Sequence, residues 1–306
     1  MSRACEMCGA SGGFRLLGEG RDCLLGDSSE TFRAVTCMAC GFSFLEHRPD
    51  DLSRYYPDRY FGATALGSAR GLSWMARWLV QHEASALERL VPAAKNILEI
   101  GPGNGGFLNA LAEAFPRAQL RGFDISQGAM LEKKLQPRIA VRYAPELSEA
   151  GFAPGQFDLI VMRHVLEHVP GVRAFLGQLR LLGADACALY VKVPNLSSLA
   201  ARVFGRYWYG LDFPRHLSYF TPQHLIRLLE EGGFRPEQVN HDNDAIDWAG
   251  SLRFLLAGAF GIPFLGGKPV LGLFLGVRIG LLPLGTLARL LRRSSRIWVL
   301  ARKTEI

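Results

Sequence analysis

Four cysteines near the start of the chain are paired as Cys5-x-x-Cys8 and Cys37-x-x-Cys40. Each pair lets two thiolates grip one metal ion from a tight turn, and two such pairs complete a tetrahedral Zn2+ site. With all four positions filled by sulfur, no coordination site stays open, so the expected role of the metal is structural. Cys23 and Cys187 stand apart, and burial is the default for such lone thiols. A second chemically capable group lies in RHVLEHVP, where His164, Glu167 and His168 fall at i, i+3 and i+4. On a helix this spacing shares a face. A later histidine, His216, follows the aromatic run YWYGLDFP, which can wall a substrate pocket. Imidazole takes a proton from a hydroxyl near neutral pH. Histidines with a carboxylate can also hold a metal that lowers a hydroxyl pKa. A third reading has Glu167 and His168 bracing loops. Proton abstraction is the favoured expectation, with His216 as the base and His168, Glu167 and His164 beside it.

The stretch NILEIGPGNGGFL, residues 96–108, reads as a buried strand, a glycine-rich turn and the start of a helix. Open α/β sheets bind ligands at such turns, at the carboxyl ends of their strands. A nucleoside triphosphate would want Gly-Lys-Ser/Thr at the helix start, and GNGGFL has none. Gly101, Gly103 and Gly106 fit the dinucleotide pattern G-x-G-x-x-G, which alone is a weak signal. The next strand, QLRGFDIS, ends in Asp124, an acid able to accept both hydroxyls of a ribose.

Glu99 stands two positions before the first glycine, giving LEIGPGNG. This resembles motif I of class I S-adenosylmethionine-dependent methyltransferases. FDIS resembles their acidic second strand, FDLIVMRHVLEHVP their fourth strand with the start of the next helix, and PRHL…FT a segment after strand five. The likeness covers roughly residues 70–248 and 296–303 and is greatest to small-molecule and glycan methyltransferases. It implies S-adenosylmethionine as cofactor, with Gly101, Gly103 and Gly105 along its methionine part. Glu99 would orient that loop or reach the ammonium through water. Asp124 would hold the ribose and Ile125 would pack on the adenine. Where the family often places an acid after strand three to read the adenine amine, this chain has VRYAPELSEAGF, with Glu146 nearby. Some relatives carry Glu-x-x-Glu-His and bind a divalent metal; here His164 replaces the first glutamate.

These residues need a frame. Strands are expected at 96–101, 119–124, 139–143, 157–162 and 187–193, with helices at 72–90, 105–115, 126–135, 170–182 and 222–232. The alternation is that of an α/β, doubly wound, Rossmann-like sheet. FRPEQVNHDN and RIWVLARK read as strands six and seven, normally a hairpin, yet about fifty unusually apolar residues separate them. Their second half reaches spanning length only by including Arg278 and Pro283, so two helices lying in one leaflet are expected rather than a crossing. Arg289, Arg292, Arg293 and Arg296 follow and suit anionic headgroups. Gly272, Gly276 and Gly280 recur every fourth residue and permit close helix packing. A buried hairpin or a dimer interface is the plainer alternative. The expected division is a zinc ribbon at 1–48, a connector and helix at 49–95, a methyltransferase domain at 96–248 and 294–306, and an apolar insertion at 249–293.

The composition, 49% hydrophobic and 21% charged, supports a sizeable core and excludes a mostly disordered chain. The net charge of +7 invites anionic partners. The opening residues lack a charged end followed by an apolar core, so a reducing, cytoplasmic setting with free thiols is expected. The ribbon mixes Arg3, Arg15, Arg21 and Arg33 with Glu6, Glu19, Asp22, Asp27 and Glu30, which argues against nucleic acid as partner. The leading expectation is therefore methyl transfer to a small molecule or a polyprenyl-linked sugar or quinone precursor, at or near the cytoplasmic membrane face. An RNA methyltransferase and a non-catalytic membrane scaffold are the alternatives.

Overall fold

A computed structural model describes residues 4–22, 30–56, 73–125, 135–242, 246–260 and 280–305. The N-terminal segment is an antiparallel ribbon of β1 (Phe14–Gly20), β2 (Phe32–Cys37) and β3 (Ser43–Leu45). A long helix, α1 (Ser73–Leu90), leads into the alternating unit. There β4 (Asn96–Ile100), α2 (Gly106–Ala114), β5 (Gln119–Asp124) and β6 (Ile139–Tyr143) are followed by β7 (Phe157–Arg163), α3 (Val172–Leu182) and β8 (Gly183–Pro194). The chain continues through α4 (Leu199–Phe204), β9 (Ser218–Tyr219), α5 (Pro222–Glu231) and β10 (Phe234–Asp242), then α6 (Ile246–Phe260), α7 (Leu282–Leu290) and β11 (Arg296–Lys303).

The main sheet has seven strands in the order β10-β11-β8-β7-β4-β5-β6. β4 to β8 run parallel, and β11 is antiparallel to both β8 and β10. The sheet is doubly wound, and its strand order reverses beside β4, the place where such sheets open a crevice for ligand. Both Ile97 and Leu98, adjacent on β4, are fully buried. A central parallel strand with both faces covered reads as such a continuous apolar run. One face packs against α1 and α2 through Ala84, Leu87, Leu108 and Leu111. The other packs Ile160, Met162 and Leu189 in one core with Phe42 and Phe44 of the ribbon. The ribbon is further joined by β9, whose Ser218 and Tyr219 pair with Phe44 and Ser43 of β3.

The expected elements stand close to where the pattern placed them, with one exception that bears on the site. His164 to His168 do not open a helix. Leu166–His168 is a single 3-10 turn, and α3 begins only at Val172. Pro170 disfavours helical backbone at Val169, which is extended (ψ 123°), so a helix cannot run through. The expected helix at 126–135 lies outside the described residues but for its last position, as do Cys23, Gly272, Gly276 and Arg278. Helix α6 buries Trp248, Ala249, Ser251 and Phe254, so the first part of the apolar insertion is packed into the fold. Among the described residues no helix is long and apolar enough to cross a membrane.

Candidate active site

A cavity of about 960 Å3 opens at the carboxyl ends of β4, β5 and β7. It lies at the upper end of the roughly 300–1,000 Å3 range of ligand sites, room for a cofactor and a second molecule. Gly101, Gly103, Asp124, Ile125 and Glu146 line one part; His164, Glu167, His168 and His216 line another. Glu99 and Gly105 are not on the wall; Glu99 adjoins Ile100, which is, and Gly105 stands two residues past Gly103.

The glycine turn is built for close approach. Gly101 has φ +66°, and a Cβ there would lie 2.5 Å from Val165 Cγ2, so no side chain fits. A Cβ on Gly103, at φ +52°, would meet nothing within 4 Å, which leaves the backbone open to a ligand. Asn104 Oδ1 accepts from the amide of Gly106, the first residue of α2, at 3.0 Å. Glu99 is buried, and its Oε2 has no hydrogen-bond partner. Burial pushes this carboxyl up to about 8, with Glu83 and Asp124 adding to the shift and Arg163 opposing it. A buried, unsatisfied carboxyl beside a glycine cradle fits a ligand with a cationic head, and Asp124 at the end of β5 fits a ribose. These residues therefore fit S-adenosylmethionine.

At the other side of the cavity β7 ends in a strained turn. His164 has φ 56°, a left-handed conformation uncommon for a residue with a side chain. Its Nδ1 is 3.4 Å from Glu167 Oε1, and its Nε2 is buried without a partner. Both carboxyl oxygens of Glu167 are buried without hydrogen bonds, and burial pushes this group up to about 8. His168 Nδ1 lies 3.0 Å from the carbonyl of Arg215 and 2.9 Å from the Tyr56 hydroxyl. His216 Nδ1 lies 2.8 Å from the carbonyl of Gly210. A carbonyl only accepts, so in each neutral ring the proton sits on Nδ1 and the lone pair on Nε2. The two rings meet edge to face, centroids 4.6 Å apart. Burial drives His168 down to about 3, with His216 contributing, and lowers His216 against the opposing pull of Asp212. Both imidazoles are thus neutral near pH 7 and present lone pairs. Ligand atoms of Glu167, His168 and His216 lie within 4.8 Å of one another, a donor set able to hold a metal ion.

The family model for the methyltransferase domain matches residues 75–239, more than half of the chain. The chain belongs to this methyltransferase family. It is 26% identical over 166 residues to the ubiquinone biosynthesis O-methyltransferase of Thiobacillus denitrificans, covering 48% of this chain and 67% of that one. It is 27% identical over 145 residues to the malonyl-[acyl-carrier protein] O-methyltransferase of Legionella pneumophila, covering 46% and 50%. The chain spans about half the length of that relative. A SAM dependent methyltransferase from Archaeoglobus fulgidus shares the fold, with TM-score 0.50, 17% identity, 83% of this chain and all of that one. The chain accordingly carries a methyltransferase domain of this family on a Rossmann-like seven-stranded sheet.

The methyltransferase holds its site with residues that sequence reasoning passed over. Arg215, fully buried, grips Asp212 through Nε (3.0 Å to Oδ1) and Nη2 (2.7 Å), and grips Asp22, two residues past β1, with both terminal nitrogens at 2.8 Å. Asp212 Oδ2 is 3.8 Å from His216 Nε2. The DxxRH spacing holds a signal for Asp212 and Arg215, but nothing local points to Asp22. On the far side, Glu83 of α1 receives Arg163 (3.1 and 3.0 Å), the Tyr190 hydroxyl (2.8 Å) and Lys192 (3.2 Å). Burial alone would raise Glu83, but Arg163 and Lys192 overcome it and hold it near 2. This pins α1 over the ends of β7 and β8. Tyr56 of the connector, Arg48, Asp247 and Arg296 also line the cavity. In the ribbon, Sγ atoms of Cys5 and Cys40 lie 3.5 Å apart and those of Cys8 and Cys37 3.6 Å apart, with all four within 4.8 Å. Sulfurs about 2.3 Å from a tetrahedral zinc stand about 3.8 Å apart, so the four residues fit that ion.

Proposed function

We propose that the enzyme methylates a hydroxyl oxygen of a small-molecule or lipid-linked acceptor, a sugar, glycan or quinone-like intermediate, with His216 as general base. The observation carrying this is the His168–His216 pair, two imidazoles in edge-to-face contact that line the same cavity as the glycine turn and Asp124, with His216 Nδ1 held by the carbonyl of Gly210. Bound there, the cofactor's sulfonium supplies an activated methyl group, whose transfer forms an O–CH3 bond and breaks the S–CH3 bond. Asp124 and the backbone at Gly101 and Gly103 hold and orient the cofactor. His216 Nε2 takes the hydroxyl proton, and Asp212, 3.8 Å away, stabilises the imidazolium formed. Asp212 is itself fixed by Arg215. The apolar wall supplied by Leu52, Phe123, Phe175 and Tyr209 suits an acceptor with a hydrocarbon part and helps exclude water. Supporting this class, two matched relatives are named O-methyltransferases of ubiquinone biosynthesis. The four ribbon cysteines would hold a structural Zn2+, and the enzyme would work in the cytoplasm or on the cytoplasmic membrane face.

The test is methyl-labelled S-adenosylmethionine with purified enzyme and separated lipid, soluble, RNA and protein fractions. Label in the lipid or soluble fraction supports the acceptor class, and label in RNA replaces it. On the acceptor so found, His216→Gln is expected to lower kcat by about 10²–10⁴ with cofactor affinity unchanged. A kcat equal to that of the parent would remove His216 as base.

A further inference from the structure

Helix α7 is turned the wrong way round for a soluble surface. Its buried positions are the small residues Gly285 and Ala288, at i and i+3. Its leucines face out: Leu282 is 46% exposed, Leu284 39%, Leu287 46%, Leu290 77% and Leu291 55%. Leu284, Leu287 and Leu291 fall at i, i+3 and i+7, a single stripe. Scattered exposed leucines are ordinary, but five within ten residues make a continuous apolar surface.

The charge of the sequence that contains this helix is as one-sided as the helix's polarity. From Trp248 to Thr304 the chain has nine basic residues and no acidic one. The whole chain carries +7, so with +9 in this segment the remaining residues sum to −2. The protein's basic character therefore belongs to the apolar insertion and the strand after it. Some of these cations are engaged: Arg296 pairs with Asp247 and Arg302 with Glu237. Arg289, Arg292 and Arg293, at the end of α7, are exposed and form no ion pair among the described residues. Arg293 also borders a second cavity of about 330 Å3 with Arg202 and Trp208. The indole N–H of Trp208 is buried without a hydrogen-bond partner.

We infer that α7 with Arg289, Arg292 and Arg293 is a docking surface for an anionic lipid bilayer. The leucines enter the boundary between headgroups and acyl chains, and the arginines meet lipid phosphates. Three exposed arginines that form no ion pair among the described residues, beside an apolar stripe, are complementary to an anionic lipid surface, which offers phosphates and an apolar layer at one boundary. Arg296, three residues beyond Arg293, lines the large cavity, so docking would bring that cavity close to the bilayer. The inference does not depend on the identity of the acceptor or on His216.

The full chain is tested by flotation with vesicles of phosphatidylcholine alone and of phosphatidylcholine with phosphatidylglycerol, at low and moderate salt. Binding is expected to the anionic vesicles only and to weaken with salt. Each of Arg289→Gln, Arg292→Gln and Arg293→Gln should weaken it about fivefold. Leu287→Ser with Leu290→Ser should abolish it, with thermal midpoint and S-adenosylmethionine affinity unchanged, because these side chains are exposed. Absence of binding to anionic vesicles overturns the inference. So does binding that the leucine pair does not affect. A dimer in solution that the leucine pair dissociates, without vesicle binding, assigns the surface to a second copy of the chain and also overturns it.

Discussion

Glu99 is a carboxyl group kept where a carboxylate is unfavourable: buried, near Glu83 and Asp124, and with an oxygen that has no donor. Below its raised pKa of about 8 it is mostly protonated. A cofactor ammonium brought near it favours the carboxylate, so cofactor binding near pH 7 should release close to one proton. Titration calorimetry in two buffers of different ionisation enthalpy measures this directly. The release should shrink as pH rises past 8, where the carboxyl is already ionised, and vanish in Glu99→Gln. Proton uptake, or release unchanged in Glu99→Gln, would place the ammonium away from Glu99. That Gly101, Gly103 and Asp124 line one cavity was legible in the sequence, because they come from one short string and one strand end. Asp22 and Glu83 were not, because each acts on a residue at least 80 positions distant.

Most elements were equally legible, since apolar periodicity is a local property. The exceptions have particular causes. A turn that exchanges a helix for a left-handed His164 needs knowledge of what packs there: the amide of His164 donates to the Lys192 carbonyl at 2.8 Å. β9 is two residues long, and its partner lies in the ribbon. That pairing and Arg215 fasten the ribbon to the loop carrying His216. Arg215→Met would leave Asp22 and Asp212 buried without their shared counter-ion, and breaking a buried pair in this way costs about 3–5 kcal/mol. Denaturant unfolding should show a loss of this size, with the transition midpoint lowered and its slope kept. A loss below about 1 kcal/mol, the worth of an exposed ion pair, would mean that water reaches the cluster.

On the scale of the molecule, the ribbon is a wall of the catalytic unit rather than an appendage. Its Phe42 and Phe44 share a core with β7 and β8. Glu6 accepts from the amide of Gly171 at 3.2 Å, and Arg173 of α3 reaches the carbonyls of Glu6 and Met7 at 2.8 and 2.6 Å. His224 of α5 lies 3.2 Å from the Cys40 carbonyl. The cysteine spacing pointed to a metal site, but not to a site fastened to α3, α5 and the His216 loop. These contacts give the metal a consequence beyond the ribbon. If zinc holds the four thiolates, removing it frees the turns that carry Glu6, Met7 and Cys40, and the disorder should reach Asp22 and then the Arg215–Asp212 pair. Treatment with a thiol reagent and a chromogenic chelator should release one zinc per chain as four thiols react. The stripped protein should lose thermal stability and kcat together. Affinity for S-adenosylmethionine should change less, because the glycine turn and Asp124 are carried at the ends of β4 and β5, strands held in the main sheet by β7 and β6. A chain that yields no zinc, or one that loses it and keeps both stability and kcat, would make the four cysteines a packed cluster with no hold on the site.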